Sequence, residues 1–241
     1  MPVSKESNLH RENRLLAALP TAEYQRLLAN LELVELQLKQ VLYAADGPIT
    51  HVYFPHHSIT SLIYTFEDGL TNEVGVVGNE GMVGLPVILG GNTTTTSAIV
   101  QVANGATRMG AAQFKAEFNR GGPLQELLLR YTQGLFTQIT QTASCNSHHS
   151  IEERLARWLL MVSDRMESDT FLLTQEFIAE MLGVRRSGVT VAAGTLSQAG
   201  IIQYSRGRIN IRSRESLEAT SCECYSIVKN EFTRLLSIAC G

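Results

Sequence analysis

The fold is decided by one stretch near the C-terminus, which reads from Leu173 to Ile211 LTQEFIAEMLGVRRSGVTVAAGTLSQAGIIQYSRGRINI. In this stretch small Ala179 stands four positions before Gly183, and branched, apolar Val189 stands six positions after it. Counted from Gln175, these spacings match a helix-turn-helix, in which the helices cross closely at the alanine and the turn needs a glycine at positive φ. An ordinary helical hairpin is the alternative for this signal alone.

The same stretch predicts the residues that face nucleic acid. Thr174 is placed to cap a first helix over Gln175–Leu182, and a second helix is expected from about Arg185 to Ser197. The second helix begins with two arginines and a serine, which are side chains that read guanine edges and hold phosphates in the major groove.

A wing is predicted directly after the second helix. Two short apolar runs, Ile201–Tyr204 and Ile209–Ile211, flank a glycine turn that carries Arg206 and Arg208. This pattern predicts a two-stranded hairpin whose arginines lie against the phosphate backbone.

The charge of the chain is concentrated in this region. The whole chain has a net charge of −3, but the segment from Gly183 to Arg214 contains six arginines and no acidic residue. A basic segment on an otherwise acidic chain is typical of a localised polyanion-binding face. A solvated basic surface is the alternative, but an ordinary surface mixes charges of both signs.

The first half of the chain predicts a β-domain. After two short helices between Leu15 and Leu28, short apolar runs alternate with turns such as Asp68-Gly69 and Asn104-Gly105. The regular spacing of these runs favours an all-β barrel or sandwich. The runs are Leu31–Leu38, Val41–Tyr43, His51–Phe54, Ile59–Thr65, Val74–Val77, Ala98–Val102 and Ala106–Met109.

A long amphipathic helix is expected from Pro123, and a further helix over Ser150–Met166. The apolar stripe of the long helix can pack on the chain's own β-domain or, as in a coiled coil, on the same helix of a second copy. The predicted dimer contacts are Leu124, Leu128, Tyr131, Leu135 and Ile139. The expected domains are 1–122, a sensory β-domain with N-terminal helices, 123–149, a dimerisation helix, and 150–241, a winged helix-turn-helix with a C-terminal helix.

The four cysteines are too few and too unevenly placed for a disulfide framework, so free thiols are expected. Cys222 and Cys224 form a C-x-C pair, which supplies half of the ligands that a structural zinc site needs. Cys145, the pair His148–His149 and the pair Glu152–Glu153 could act as ligands, but such groups are more often solvated or capping residues. No metal and no catalytic residue is therefore predicted.

The complete arrangement resembles the Crp/Fnr family of transcription regulators over about Leu15 to Leu217. The resemblance implies an α+β fold: an N-terminal cyclic-nucleotide-binding-like β-roll, a long dimerisation helix and a C-terminal winged helix-turn-helix. It implies that bases or phosphates are contacted by five residues, with Arg186 at the position of a base-reading arginine. These residues are Arg185, Arg186, Ser187, Thr190 and Val191.

The sensory pocket departs from the family pattern. Gly84 is followed by Leu85, where the family places the glutamate that binds the ribose, and the segment that should hold the phosphate-binding arginine is Thr93–Ser97, which has no cation. Cyclic AMP binding is therefore not expected, since a buried phosphate without a cation is poorly compensated. Thr95 and Thr96 could bind another, unknown effector, or the pocket could be empty.

Other cofactors have no support in the sequence. The N-terminal cysteines of the oxygen-sensing branch are absent, which argues against an iron–sulfur cluster, and His51, His56 and His57 lack a haem motif. No cofactor is therefore predicted.

These observations predict a homodimeric, cytoplasmic regulator that binds a pseudo-palindromic site on double-stranded DNA and contacts RNA polymerase. The polar stretch Met1–Arg14 predicts no signal peptide, and no apolar run is long enough to span a membrane. The alternative is a protein-interaction module that binds nucleic acid only non-specifically. No nucleophile elbow, P-loop or dinucleotide motif is present, so an enzyme is not expected.

Overall fold

A computed structural model describes residues 9–237 of the chain. Met1–Asn8 and Ile238–Gly241 lie outside the described residues, and with them Cys240 and most of the segment in which no signal peptide was expected. The chain divides into two compact units. The first contains 1–63, 75–136 and 231–241, and the second contains 64–74 and 137–230.

The first unit is built from short helices around two antiparallel sheets. Its helices are α1 (Arg14–Ala18), α2 (Thr21–Leu28), α3 (Ala111–Asn119) and the first part of α4 (Pro123–His148). Its strands are β1 (Glu32–Leu36), β2 (Val41–Tyr43), β3 (His51–Pro55), β4 (Ile59–Thr65), β5 (Thr71–Val77), β6 (Ser97–Val102) and β7 (Asn104–Gly110), of which β4 and β5 run into the second unit. Short 3-10 helices cover His10–Glu12 and Leu85–Val87.

The strands form one sheet in the order β1-β7-β3 and another in the order β2-β6-β4-β5. Strands β3, β4 and β5 contain runs of consecutive buried residues, so both faces of these strands are covered over part of their length. Val52 and Phe54 on β3 are almost fully buried, and Phe54 meets Phe114 of α3 edge to face at 5.7 Å between ring centroids. The predicted β-rich N-terminal domain is therefore confirmed.

Asn13 joins the N-terminal helices to the strands. Its Oδ1 accepts hydrogen bonds from the amides of Leu15 and Leu16 and so caps α1. Its Nδ2 donates to the carbonyl oxygens of Pro55, at 2.9 Å, and Gly81, at 2.8 Å. The buried amide thus uses both ends of its side chain, and it fixes α1 against two separate turns.

The second unit contains the rest of α4, α5 (Ile151–Met166) and the predicted DNA-binding region. Its further helices are α6 (Gln175–Leu182), α7 (Arg186–Gln198), α8 (Arg214–Thr220) and α9 (Cys224–Ser237), whose last residues belong to the first unit. Its strands are β8 (Thr170–Leu172), β9 (Ile202–Ser205) and β10 (Arg208–Ile211).

Helix α5 is the scaffold of the second unit. Ser150 and Glu153 form a reciprocal capping box at its start, which satisfies two amides of the first turn. Its buried face packs against α7 and α8. The indole nitrogen of Trp158 donates to Glu73 Oε1 at 3.0 Å, which ties residues 64–74 to this helix.

Candidate nucleic-acid interface

The helix-turn-helix is formed by α6 and α7, and the ends of α6 are fixed by its sequence. The Thr174 hydroxyl accepts a hydrogen bond from the Phe177 amide at 3.2 Å and so caps α6, as predicted. At the other end Gly183 has φ +61°, the left-handed conformation that ends a helix and that glycine adopts without strain. The turn is closed by a hydrogen bond from the Val184 amide to the Ala179 carbonyl.

The crossing of α6 and α7 follows the predicted pattern. Ala179 and Val189 are both buried, with a methyl group on one helix and a branched side chain on the other. A larger residue at Ala179 would push the helices apart. Helix α7 begins at Arg186, one residue later than predicted, because Arg185 is extended and serves as its N-cap.

The solvent side of α7 carries the residues predicted to contact DNA. Arg185, Arg186, Ser187, Thr190 and Val191 are all exposed. Arg186 lies 3.8 Å from Glu176 of α6, but both side chains are about two-thirds exposed, so this ion pair is weak and is readily exchanged for a phosphate or a base.

Gln175 is held against α7 by Thr190. The Thr190 hydroxyl donates to Gln175 Oε1 at 2.7 Å and also lies 3.1 Å from the Arg186 carbonyl. Gln175 itself is half-buried. The first turn of α6 and the first turn of α7 therefore present one continuous polar surface.

The wing is a three-stranded sheet in the order β8-β10-β9, whereas the sequence predicted two strands. Strand β8 has three residues and no clear alternation, so its sequence carries little strand signal. At the tip, Arg206 and Gly207 have φ +50° and +74°, which is the two-residue hairpin turn that fits the twist of the strands. Arg206 and Arg208 are exposed at this tip.

Five of the six arginines in the basic segment are exposed: Arg185, Arg186, Arg206, Arg208 and Arg212. Arg214 differs, because it forms ion pairs with Asp164 and Glu218 and donates to the Tyr225 hydroxyl. Burial alone would lower the pKa of Arg214, but Asp164 raises it above its usual value. Arg214 therefore stabilises α8 and does not add to the basic face.

The predicted effector residues lie in the first unit. Gly84, at φ +106°, precedes the short 3-10 helix, and Leu85 is buried. Thr95 is exposed and Thr96 is half-buried, with its hydroxyl 3.3 Å from that of Thr94.

A pocket of about 460 Å³ in the first unit lies elsewhere, beside Glu12, His56 and His57. Behind it the Thr107 hydroxyl bridges His10 Nδ1 at 2.8 Å and His56 Nε2 at 2.9 Å. Burial, with smaller contributions from His10 and His57, lowers the pKa of His56 to about 4.

The long helix α4 has two apolar faces. Leu124, Leu128, Tyr131 and Leu135, predicted as dimer contacts, are buried within the chain itself, and Ile139 is half-buried. Two large apolar side chains of α4 are exposed, Leu129 at 51% and Phe136 at 66%. Apart from half-buried Ile139, the residues available to a second copy are therefore on a different face from the predicted stripe.

A second group of chemically active residues lies where α4 ends and α9 begins. Cys145, His149, Cys222 and Cys224, which we call the Cys–His cluster, place their sulfur and nitrogen ligand atoms within 4.8 Å of one another. A hydrogen bond with Cys145 lowers the pKa of Cys222 to about 6. From the sequence alone, Cys145 with His149, and Cys222 with Cys224, are two separate and incomplete sets of metal ligands.

This region therefore belongs to the winged helix-turn-helix class, which is defined by the helix-turn-helix, the three-stranded wing and the exposed arginines. In agreement, residues 153–220 match the family model for the Crp-like helix-turn-helix domain. No curated protein matches the chain in sequence.

Solved structures extend the likeness to both units. A protein from Eubacterium rectale described as a Crp/Fnr-family regulator superposes with a TM-score of 0.68 at 17% identity, over 87% of this chain and 98% of its own. FixK2 from Bradyrhizobium japonicum superposes with a TM-score of 0.69 at 17% identity, over 80% of this chain and 98% of its own. The c-di-GMP responsive regulator CLP from Xanthomonas campestris superposes with a TM-score of 0.66 at 14% identity, over 80% of this chain and 100% of its own.

At these identities the likeness concerns the fold. The chain therefore has the fold of these Crp/Fnr structures: an N-terminal β-rich region, a long helix and a Crp-like helix-turn-helix domain. The resemblance seen in the sequence is confirmed at this level. Within residues 9–237, no helix combines the length and the apolar character needed to cross a membrane.

Proposed function

We propose that this chain is a sequence-specific transcription regulator that binds a pseudo-palindromic DNA site as a homodimer. The proposal is carried by one observation: five exposed arginines lie at the start of the second helix, on the wing and directly after it in a Crp-like helix-turn-helix domain, in a segment without a single acidic residue. Such a face fits the phosphate backbone and one major groove.

The roles within the face follow from chemistry and position. Arg186, in the first turn of α7, is the candidate for bidentate contact with guanine O6 and N7. Val191 is 66% exposed and apolar, so it is suited to a thymine methyl group. Arg206 and Arg208 at the wing tip, and Thr174 before α6, are suited to phosphates, which position the protein but carry no sequence information.

Dimerisation is assigned to the exposed face of α4. Leu129 and Phe136 are seven residues apart, so they lie on the same side of the helix, and the half-buried Thr132 and Ile139 occupy the positions between and after them. A large aromatic ring that is two-thirds exposed is a typical centre of a protein interface. A second copy of α4 would cover both side chains, with Ile139 retained from the predicted set.

The effector remains a separate part of the proposal. Thr93–Ser97 offers no cation for a cyclic phosphate and Leu85 stands in place of the ribose-binding glutamate, so cyclic AMP is not expected to act. The fold itself accepts other signals, since CLP of the same fold is a c-di-GMP responsive regulator. The 460 Å³ pocket beside His56 is a candidate site for a small effector in this chain.

In vitro selection from random duplexes tests the proposal. Wild type should enrich a palindrome with guanine in each half-site, and Arg186→Ala should lose or blur the preference at that position. Arg120→Ala is the matched control, because it removes an exposed arginine outside the basic face. Cyclic AMP should leave the enrichment unchanged. If the wild type binds all duplexes equally, the chain is an interaction module with non-specific DNA affinity.

A further inference from the structure

The Cys–His cluster has the composition and geometry of a metal site that the sequence alone did not predict. Cys145 lies in the last turn of α4 and His149 four residues later, while Cys222 and Cys224 flank the start of α9. Residues 145 and 222 are 77 positions apart, so only the fold brings the two halves together. All three thiols are buried, and His149 is partly exposed.

We propose that Cys145, His149, Cys222 and Cys224 form a tetrahedral site for one Zn²⁺ ion. Three thiolates and one imidazole are a common ligand set of structural zinc.

The distances fit a single ion. With zinc–sulfur and zinc–nitrogen distances of about 2.3 and 2.0 Å, a tetrahedral site has sulfur–sulfur edges of about 3.8 Å and sulfur–nitrogen edges of about 3.5 Å. The Cys145 and Cys222 sulfurs are 3.5 Å apart, and Cys224 Sγ lies 3.7 Å from His149 Nδ1. An iron–sulfur cluster would bind its ligands through different irons and so place some of them further apart than the 4.8 Å that encloses all four ligand atoms here.

The histidine is oriented for this role by a carboxylate. While Nδ1 of His149 faces the thiols, its Nε2 lies 3.4 Å from Glu223 Oε2. A hydrogen bond from Nε2–H to a carboxylate fixes the ring and leaves Nδ1 as the free lone pair, which is the usual arrangement of metal-bound histidines. Glu223 lies between the two cysteines in sequence, so one short segment supplies two ligands and the group that positions a third.

Buried cations beside the cluster supply an independent observation. Arg154 and Arg157 of α5 are both buried, and both interact electrostatically with the cysteines of the cluster. Nε of Arg154, and Nε and Nη1 of Arg157, have no hydrogen-bond partner within the described part of the chain. Buried cations need a negative partner. Zinc bound by three thiolates and a neutral imidazole carries one net negative charge, which would supply it.

Metal titration of the full-length chain tests the site. Metal-free, reduced protein should bind one Co²⁺ per chain, with thiolate-to-cobalt charge-transfer bands and the intense visible bands of tetrahedral cobalt. Zn²⁺ should displace the cobalt and abolish these bands. Absence of these bands in the reduced wild type would overturn the proposal, as would an iron–sulfur spectrum of the purified protein. The wild-type titration needs no variant, so a folding defect cannot hide either result.

Variants separate a metal site from a cluster of structural thiols. Cys222→Ser and His149→Ala should abolish the tetrahedral cobalt spectrum, and Glu223→Gln should weaken metal affinity about 10- to 100-fold. Exposed His148→Ala, next to the proposed ligand, and Cys240→Ser are the matched controls, and both should bind as wild type does. Unchanged cobalt binding in Cys222→Ser would overturn the assignment. Zinc binding is read without DNA, so its failure would leave the proposed regulator function untouched.

Discussion

Acid should destabilise the first unit through His56, a side chain that is only 4% exposed. Its Nε2 is bonded to the Thr107 hydroxyl, and burial lowers its pKa to about 4, against about 6.5 in the unfolded chain. The Glu12 carboxylate lies 3.6 Å from Nδ1 and favours the charged form, but it is solvent-exposed and screened, so burial prevails.

The sign and the size follow from these two pKa values. The fold prefers neutral His56, so its contribution to stability is fully present above about pH 6.5 and is lost as the pH falls through about 4. A difference of about 2.5 pKa units corresponds to about 3 kcal/mol of unfolding free energy, each unit being worth about 1.4 kcal/mol. This is a large fraction of the stability of an ordinary domain.

Denaturant unfolding, followed by far-ultraviolet circular dichroism between about pH 7 and 4, measures this loss. His56→Gln keeps a donor for Thr107 but cannot titrate. It should therefore reduce the loss of unfolding free energy between these two pH values by about 3 kcal/mol. An exposed histidine of the second unit provides the control, since His148→Gln should leave the wild-type slope unchanged. Parallel slopes for wild type and His56→Gln would refute this account of the buried imidazole.

Three further perturbations address other parts of the molecule. Asn13→Ala should lower the free energy of unfolding, measured by thermal denaturation, by about 2–4 kcal/mol, because a helix cap is lost and two buried carbonyls lose their donor. Asn13→Asp should recover only the contribution of the cap. Phe136→Glu should convert a dimer to a monomer in sedimentation experiments, while the exposed Leu89→Glu leaves the mass unchanged. Arg214→Gln should lower the melting temperature but keep the DNA preference, and a lost preference in folded protein would contradict its structural role.

Local signals made the DNA-binding region predictable. Three features, the cap at Thr174, the crossing at Ala179 and the turn at Gly183, depend only on neighbours within one or two helical turns. The distance between these residues along the sequence therefore determines how they are arranged in the fold. The strands Val41–Tyr43 and Ile59–Thr65 were likewise predicted within their exact bounds, because turn residues flank them. Strand β8 was missed, since three residues are too few to show an alternation.

Long-range arrangements could not be read in the same way. A helical period shows that α4 has an apolar stripe, but it does not show that Leu128 and Tyr131 are covered by the chain itself while Phe136 is exposed. The Cys–His cluster is a stronger case, because its two halves are incomplete when considered separately. Only the packing of the start of α9 beside the end of α4 makes a complete ligand set.

Sequence-specific recognition is tested most directly by comparing two affinities of one protein preparation. Fluorescence anisotropy at fixed salt should give the selected palindrome a dissociation constant at least about 10³-fold lower than that of a scrambled duplex of equal length. Arg186→Ala should reduce this ratio much more than Arg120→Ala does. Equal affinity of the wild type for the two duplexes, with a strong salt dependence for both, would contradict the account and leave only phosphate binding.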